Sequence, residues 1–336
     1  MYLKSFGLNE NPFSLVSDPR FLFYSFGHCE AMANLLYSVR SRKGLTLLLG
    51  EAGTGKTSLV RAALGLLQST RVVTSVIFNP MSDRPEDLLE SILRGFELEG
   101  FERNSLHMAM ALERFLQQQT MEGHIPVLIV DEAQHLSAAV LERLRLLSNL
   151  DDGNHKMIQI VLAAQPEMAQ RLDTYEMRAL RQRIVVRTRL CPLNPNETWQ
   201  YLATRVARAG GDGRPIFSPT AAAAIQRHSG GIPRLINTLA DNCLLAAYSQ
   251  GKNLVDAQLV EEIAKYLELK VFETDTGKGA RHHDVVGPSS SWKELVESLR
   301  HENVPETFRR FVDRWRVQEP APESEAMMSK VFRESQ

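Results

Sequence analysis

The sequence predicts an α/β fold: an αβα core with a five-stranded parallel sheet, followed by a small all-helical domain. Short apolar or β-branched runs alternate with helical patterns up to residue 190, which is typical of parallel strands covered by helices on both faces. No strand candidate follows from there to about residue 270. A glycine-rich loop joins the first strand to the next helix. The five strand candidates are residues 44–49, 72–78, 127–130, 157–163 and 184–188.

The helical patterns divide the chain into three predicted parts. Residues 1–190 hold an N-terminal arm, rich in prolines and aromatic residues, and the strand-and-helix core. Residues 191–270 hold four helices, several of which begin at Ser, Asp or Asn caps. Residues 271–336 have the composition of a linker and a mostly flexible tail with short amphipathic helices. Helical spacing covers residues 27–40, 85–96, 104–121, 137–148, 196–209, 218–228, 232–249 and 256–269.

Composition narrows the class of protein. A net charge of −1, from 39 basic and 40 acidic residues, gives no global basic field for nucleic acid, although a local patch would still serve. The three cysteines, Cys29, Cys191 and Cys243, are widely spaced and odd in number, which favours a reducing compartment over a disulfide framework. No apolar run approaches the roughly 18 residues of a membrane span. We therefore expect a cytoplasmic protein without direct membrane insertion.

Residues 50–57 carry the most specific motif in the chain, a full match to G-x-x-x-x-G-K-[ST] between a strand and a helix. Glycines let backbone N–H groups turn toward phosphates, and the following helix adds its positive N-terminal end. The motif predicts a P-loop αβα core in which Lys56 reaches the β- and γ-phosphates and the Thr57 hydroxyl holds Mg²⁺. The predicted ATP-binding residues are Gly50, Glu51, Ala52, Gly53, Thr54, Gly55, Lys56, Thr57 and Ser58.

Two acids, Asp131 and Glu132, end the apolar strand at 127–130. In a P-loop sheet this strand end lies beside the phosphate loop. Asp131 is thus a candidate Mg²⁺ ligand, and Glu132 is a candidate to polarise the water that attacks the γ-phosphate. The alternative is a capping Asp-Glu pair before the next helix.

Polar residues follow two other strands. Asn79 could hold Glu132 away from water until a ligand or partner binds, or it could simply start a turn with Pro80. Gln165 is placed to hydrogen-bond the γ-phosphate or the attacking water, or it could belong to a strand-to-helix turn before Pro166.

Arginines are dense between residues 171 and 189. Arg183, directly before the last strand, is the best candidate for a finger that stabilises a phosphoryl group in a neighbouring subunit. A nucleic-acid phosphate track and plain surface charge are the alternatives. Arg234 follows Gly231-Ile232-Pro233 in the first turn of a helix in the second domain, where a lid could bring it to the γ-phosphate. The histidines show no metal-site spacing, and His28-Cys29 is interpreted as the start of a helix.

Together, these features resemble the AAA+ ATPases. More narrowly, Phe6-Gly7-Leu8, Asn11-Pro12-Phe13 and Asp18-Pro19-Arg20-Phe21, with Gln165-Pro166-Glu167, resemble the ExeA/GspA (general secretion pathway protein A-like) ATPases over about residues 1–270. The resemblance implies a bacterial protein that hydrolyses Mg-ATP, has a helical lid and assembles as dimers or rings with a shared active site. It also implies that Gln165 senses the γ-phosphate, that Arg183 acts in trans and that Arg234 is the lid arginine.

The sequence departs from that family after the lid. ExeA-type proteins continue into a transmembrane helix and a periplasmic peptidoglycan-binding domain, whereas this sequence continues into a polar tail. The expected function is ATP-driven assembly or remodelling of an unknown protein client, in an envelope, secretion or polysaccharide system. The module also resembles the TniB and TnsC transposition regulators, so an ATP-dependent DNA-binding regulator is the alternative and DNA is a candidate partner. A scaffold without turnover is disfavoured by the intact Lys56, Asp131 and Glu132.

Overall fold

Five parallel strands form the central sheet of the computed structural model, in the spatial order β2-β3-β4-β1-β5. The structure describes residues 2–16, 18–67, 71–80 and 84–272. The predicted five-stranded parallel sheet is confirmed. Its strands are β1 (Leu45–Gly50), β2 (Val72–Ile77), β3 (Ile125–Val130), β4 (Gln159–Ala164) and β5 (Ile184–Leu190).

Burial follows the position of each strand in the sheet. Central β3 and β4 are almost fully buried, which explains why they are continuous apolar runs in the sequence. Edge strand β2 is mostly half-buried, and edge strand β5 alternates buried with more exposed positions. Because all strands are parallel, their carboxyl ends meet at one edge of the sheet. The register pairs Gly50 with Leu190, Leu49 with Ala164, and Val130 with both Ile77 and Leu162.

Helices flank the sheet and then form a separate bundle. Several begin where the sequence supplies a cap: Ser25, Asn104, Ser137, Ser218 and Asp256 each accept backbone hydrogen bonds at a helix start. The helices are α1 (Phe26–Arg40), α2 (Lys56–Leu67), α3 (Pro85–Gly95), α4 (Ser105–Met121), α5 (Ala138–Leu147), α6 (Glu167–Leu172), α7 (Arg178–Arg183), α8 (Pro195–Arg208), α9 (Pro219–Ser229), α10 (Pro233–Ser249) and α11 (Ala257–Tyr266). The sequence patterns did not predict the short α7.

Two large clusters of buried apolar side chains lie within the described residues. One lies between the sheet and α3, α4 and α5. The other fills the bundle of α8 to α11 and also contains side chains of the N-terminal arm, among them Phe6, Leu8, Phe13 and Phe21. The arm, with short 3-10 helices at Tyr2–Phe6 and Pro19–Phe21, therefore packs against the helical bundle.

Hydrogen bonds from arginine side chains of α8 join the N-terminal arm to the bundle. Buried Arg205 of α8 donates to the carbonyl oxygens of Pro12 and, at 3.4 Å, Ser14. Arg208 donates to the Leu22 carbonyl at 2.8 Å. These contacts join residues about 190 positions apart in the chain, as the separations of 193 and 186 residues show.

None of the helices in the described ranges is long and apolar enough to cross a lipid bilayer. From position 273 onward the predicted linker and tail lie outside the described residues. They include the segment from Trp292 to Trp315, for which the sequence predicts one or two amphipathic helices.

Candidate active site

The glycine-rich loop lies between the carboxyl end of β1 and the start of α2. Gly53 and Gly55 have φ angles of +82° and +103°, a region that side chains with a Cβ rarely adopt. The Thr54 hydroxyl donates to the Glu51 carbonyl at 2.8 Å and closes the turn. The motif glycines are thus required by the backbone path, and the path leads directly into a helix N-terminus, which suits an anionic ligand.

Lys56 points back into this loop. Its Nζ donates to the carbonyl oxygens of Gly50 at 2.7 Å and Glu51 at 3.1 Å, and the residue is only 4% exposed. Burial lowers the pKa of the ammonium, and the nearby carboxylates of Glu132 and Asp131 limit the shift. An ammonium has three donors, so the two contacts leave one for an oxygen of a ligand.

Thr57 and Asp131 bring a hydroxyl and a carboxylate together from α2 and the end of β3. The Thr57 hydroxyl donates to Asp131 Oδ2 at 2.5 Å, and Asp131 is buried. Asp131 Oδ1 accepts the backbone N–H of Glu132 at 3.0 Å, which fixes the carboxylate. Hard oxygen donors beside a phosphate loop are the ligand type that Mg²⁺ prefers, so this pair fits that ion.

Glu132 follows Asp131 in the left-handed backbone region, with φ of +54°. Its Oε2 accepts hydrogen bonds from the side-chain amides of Gln134 at 2.6 Å and Gln165 at 3.2 Å. Partial burial by itself would raise the pKa of this carboxyl. The two amides and the positive charge of Lys56 outweigh burial and lower the pKa below its ordinary value. Glu132 is therefore held as a carboxylate beside the loop.

Gln165 completes the cluster from the end of β4. Besides donating to Glu132, it donates its backbone N–H to Gln134 Oε1 at 3.1 Å. Gln134, in the short 3-10 helix Ala133–His135, thus bridges the ends of β3 and β4. An ammonium, an ionised carboxylate with two amide partners and a hydroxyl–carboxylate pair converge at one sheet edge.

Comparisons with known proteins agree with this geometry. A family model described as an AAA domain matches residues 39–172. General secretion pathway protein A of Aeromonas hydrophila is 40% identical over 256 residues, which are 76% of this chain and 46% of that protein. The chain belongs to the AAA P-loop ATPases. Within them it is similar to General secretion pathway protein A, and it spans less than half the length of that relative.

Solved structures support the fold of this AAA ATPase. The Aeropyrum pernix ORC2 protein in ADPNP-ADP complexes is similar with a TM-score of 0.58 and 17% identity, covering 76% of this chain and 71% of that chain. Cdc6p from Pyrobaculum aerophilum gives a TM-score of 0.58 and 18% identity, covering 76% and 70%. At these identities the likeness concerns the fold alone.

Asn79 forms no side-chain hydrogen bond with Glu132, the acidic residue that the sequence paired it with. It follows β2 on the exposed surface, with φ of +53°. Among the described residues, the side chains that donate to the Glu132 carboxylate are Gln134 and Gln165, not Asn79. In this structure the side chains in contact with the Glu132 carboxylate are therefore those of Gln134 and Gln165.

Arg183 lies at the opposite edge of the sheet from the phosphate loop. It is the last residue of α7, and the next residue, Ile184, pairs with Leu45 at the start of β1. The loop begins after Gly50, five residues farther along β1, or about 17 Å at the usual rise of a strand. The exposed Arg183 side chain forms no hydrogen bond or ion pair within the described part of the chain. The Arg183 side chain is therefore too far from the phosphate loop of its own chain to contact it.

Arg234 lies against the loop, at the second position of α10. Its backbone N–H donates to the Gly53 carbonyl at 3.2 Å, and a Cβ added to Gly53 would lie 2.7 Å from the Arg234 Cβ. The Arg234 side chain is exposed and lines a cleft over the loop. The arm forms another wall, where Leu15 and Val16 are 59% and 78% exposed.

Three contributions to the site were not predicted from the sequence: Gln134 at the Glu132 carboxylate, and the arm and His28 at the cleft. No periodic or motif signal marks Gln134, and the motifs of the arm indicate a family resemblance but not a position beside the loop. His28 begins α1, as the sequence predicted, but its ring is buried beside the loop. Within residues 2–16, 18–67, 71–80 and 84–272, His28 belongs to no cluster of three or more His, Cys, Asp or Glu that could hold a metal.

Proposed function

We propose that this chain binds Mg-ATP at residues 50–58 and hydrolyses it to ADP and phosphate. The observation that carries the proposal is the convergence of Lys56, Thr57–Asp131 and the ionised Glu132 at one sheet edge. Membership of the AAA P-loop ATPases supports the same chemistry. The triphosphate would lie along the loop, within reach of Lys56. The exposed apolar side chains of Leu15 and Val16 and the aromatic ring of Phe23 offer a wall for the base.

Mg²⁺, held by Thr57 and Asp131, would supply positive charge to the phosphate oxygens. Glu132 would accept a proton from the attacking water, since its carboxylate is held ionised. Gln165 would orient that carboxylate and the water through its amide group. Arg234, on the lid beside Gly53, would contribute charge toward the γ-phosphate when the cleft closes.

The site is proposed to be completed by a second copy of the chain. Arg183 is exposed and lies at the far sheet edge from its own loop, as a residue that acts on a neighbour would. Arginine supplied in trans stabilises charge on the transferring phosphoryl group. Dimers or rings would therefore be the hydrolysing species.

The client is proposed to be a protein of a bacterial envelope, secretion or polysaccharide system, reached from the cytoplasm. The support is the name and source of the relative, General secretion pathway protein A of Aeromonas hydrophila, which matches over 76% of this chain. ATP-driven assembly or remodelling of that client is the proposed use of hydrolysis.

Two variants test the chemistry. Lys56→Ala is expected to lose ATP binding, whereas Glu132→Gln keeps ATP binding and loses at least about 100-fold in turnover, because only the base is removed. Binding is measured with a fluorescent ATP analogue and turnover by phosphate release. Exposed Lys265→Ala and Glu113→Gln serve as matched controls. Turnover that survives both site variants rejects the proposal.

A cellular experiment tests the client. Glu132→Gln, which retains ATP, is compared with Lys56→Ala for co-purification of envelope proteins after crosslinking in the host cell. Enrichment of envelope-apparatus subunits with Glu132→Gln alone supports the proposal. Turnover that DNA stimulates, with a response that falls steeply as salt rises, would instead support a DNA-binding regulator.

A further inference from the structure

The imidazole of His28 lies directly beneath the phosphate loop. The residue is 3% exposed and comes from the first turn of α1, an element outside the motif. A Cβ on Gly55 would lie 3.1 Å from His28 Nε2, so the ring packs against the loop backbone where it turns into α2. No part of the chemistry assigned to Lys56, Asp131 or Glu132 uses this ring.

The two ring nitrogens face different groups. Nδ1 lies 2.7 Å from the Ser25 hydroxyl, and Ser25 is also the N-cap of α1. Nε2 faces the loop at Gly55, and the Thr54 backbone is the polar group there that favours the protonated ring. The Thr54 N–H already donates to the Glu51 carbonyl at 3.3 Å, so the group of Thr54 that remains for the ring is its carbonyl oxygen.

Burial lowers the pKa of His28 to about 4, so the ring is neutral near pH 7 and has a single N–H. A donor at Nε2, on the side of the Thr54 carbonyl, leaves Nδ1 to accept from the Ser25 hydroxyl.

We propose that His28, oriented by Ser25, is a positioning residue that holds the Thr54–Gly55 segment in its phosphate-binding conformation by donating from Nε2 to the Thr54 carbonyl. This inference rests on the proposed ATP site. A Thr54 carbonyl held toward the ring leaves the ligand side of the loop to N–H groups other than that of Thr54, which donates to the Glu51 carbonyl. Without that anchor, two positive-φ glycines on either side of Thr54 would let the peptide rotate.

Three substitutions separate the hydrogen bond from packing. His28→Gln places an amide N–H near the former Nε2. His28→Asn places polar atoms only near Nδ1, and His28→Leu keeps apolar bulk without a donor. Each variant is measured for its affinity for ATP, its turnover at saturating ATP, and its melting temperature without nucleotide. Wild type and Lys56→Ala are measured alongside.

If His28 positions the loop, its replacement should weaken ATP binding but change turnover little. His28→Asn and His28→Leu should weaken ATP binding about tenfold, the effect of one lost hydrogen bond to a buried carbonyl. Turnover at saturating ATP should stay within about threefold, because Glu132 is untouched. His28→Gln should restore affinity to near the wild-type value.

Each other outcome is informative. If His28→Leu binds ATP as tightly as wild type, or if His28→Leu is better than His28→Gln, the ring acts by packing alone and the proposal is wrong. Affinity that simply follows the loss of melting temperature across all three variants also overturns it. If wild type binds no more ATP than Lys56→Ala, it is the proposed function that fails.

Discussion

The side-chain amide of Gln165 donates to the carboxylate of Glu132 at 3.2 Å, across the ends of two neighbouring strands, β4 and β3. The contact links the predicted phosphate-sensing residue to the predicted base before any ligand is considered. It is also one of the interactions that lower the pKa of Glu132. A change at Gln165 should therefore alter the protonation of Glu132 as well as ligand contacts.

Replacing Gln165 by Leu should move the acid limb of the turnover–pH profile to higher pH. The base must be ionised, and loss of the amide donor raises its pKa, so activity is lost earlier as pH falls. We expect turnover near pH 7 to fall by about tenfold to 100-fold. The measurement is kcat between about pH 3.5 and 8, a window that includes the acid limb of a carboxyl whose pKa is below its ordinary value. Gln170→Leu, at an exposed position on α6, is the control, and an unmoved acid limb would contradict the assignment.

Asp131→Asn should raise the Mg²⁺ concentration needed for half-maximal turnover by at least about tenfold. An amide oxygen carries no net charge and binds Mg²⁺ less strongly than a carboxylate. The amide also changes what the Thr57 hydroxyl, now 2.5 Å from Asp131 Oδ2, can donate to. Turnover is titrated with Mg²⁺ at fixed ATP, with Glu113→Gln as a surface-charge control. An unchanged Mg²⁺ requirement would remove Asp131 from the metal site.

The sheet and its functional edge were predictable because the signals are local. Residues 50–57 specify a strand, loop and helix, and Asp131 follows a run of apolar residues that can only be an interior strand. Parallel strands then bring Asp131, Glu132 and Gln165 to one edge without further information. The same argument brings Asn79 to that edge, where its exposed side chain, in a left-handed turn, forms no hydrogen bond with Glu132.

The partners of Glu132 and of the loop were not predictable for a physical reason. Gln134 reaches Glu132 through a single 3-10 turn, whose direction depends on the left-handed backbone of Glu132. Arg205 and the arm meet across 193 residues of sequence, and no periodicity encodes such a contact. His28 could not be assigned from the sequence, because a histidine at the start of a helix is typical of a helix terminus and its contact with the phosphate loop depends on the tertiary structure.

Arg183→Ala should lower turnover by about a thousandfold while leaving ATP affinity within about threefold, because the arginine is far from its own loop. Mixing Arg183→Ala with Glu132→Gln subunits should restore part of the activity. In such a mixture one subunit contributes Glu132 and its neighbour contributes Arg183. Turnover is measured across mixing ratios, with exposed Arg114→Ala as the control. If Arg183→Ala alone kept the turnover of the wild type, Arg183 would not be the arginine that acts in trans.

Phe13→Ala should destabilise the helical bundle by about 3–5 kcal/mol, although Phe13 precedes the whole core in sequence. The ring is 1% exposed and lies edge-to-face with Phe217, with centroids 5.7 Å apart. Leu15→Ala, two positions away and 59% exposed, should change the unfolding free energy by less than about 0.5 kcal/mol. Urea unfolding followed by circular dichroism distinguishes the two. Equal, small effects would mean that the arm adds no stability to the bundle.

Folding stability should fall as pH falls from 6.5 toward 4, in part because of His28. Its pKa is lowered from 6.5 to about 4 by burial, so the unfolded chain binds a proton in this window and the folded chain does not. Above pH 6.5 the ring is neutral in both states and contributes no pH dependence. The full difference between the pKa of His28 in the unfolded and folded chain corresponds to about 3 kcal/mol of unfolding free energy, which is lost by pH 4. Urea unfolding of nucleotide-free wild type and His28→Gln between pH 4 and 8 isolates this contribution from that of the carboxylates. The two stabilities should converge as the pH falls, and parallel curves would mean that His28 is not held neutral in the folded state.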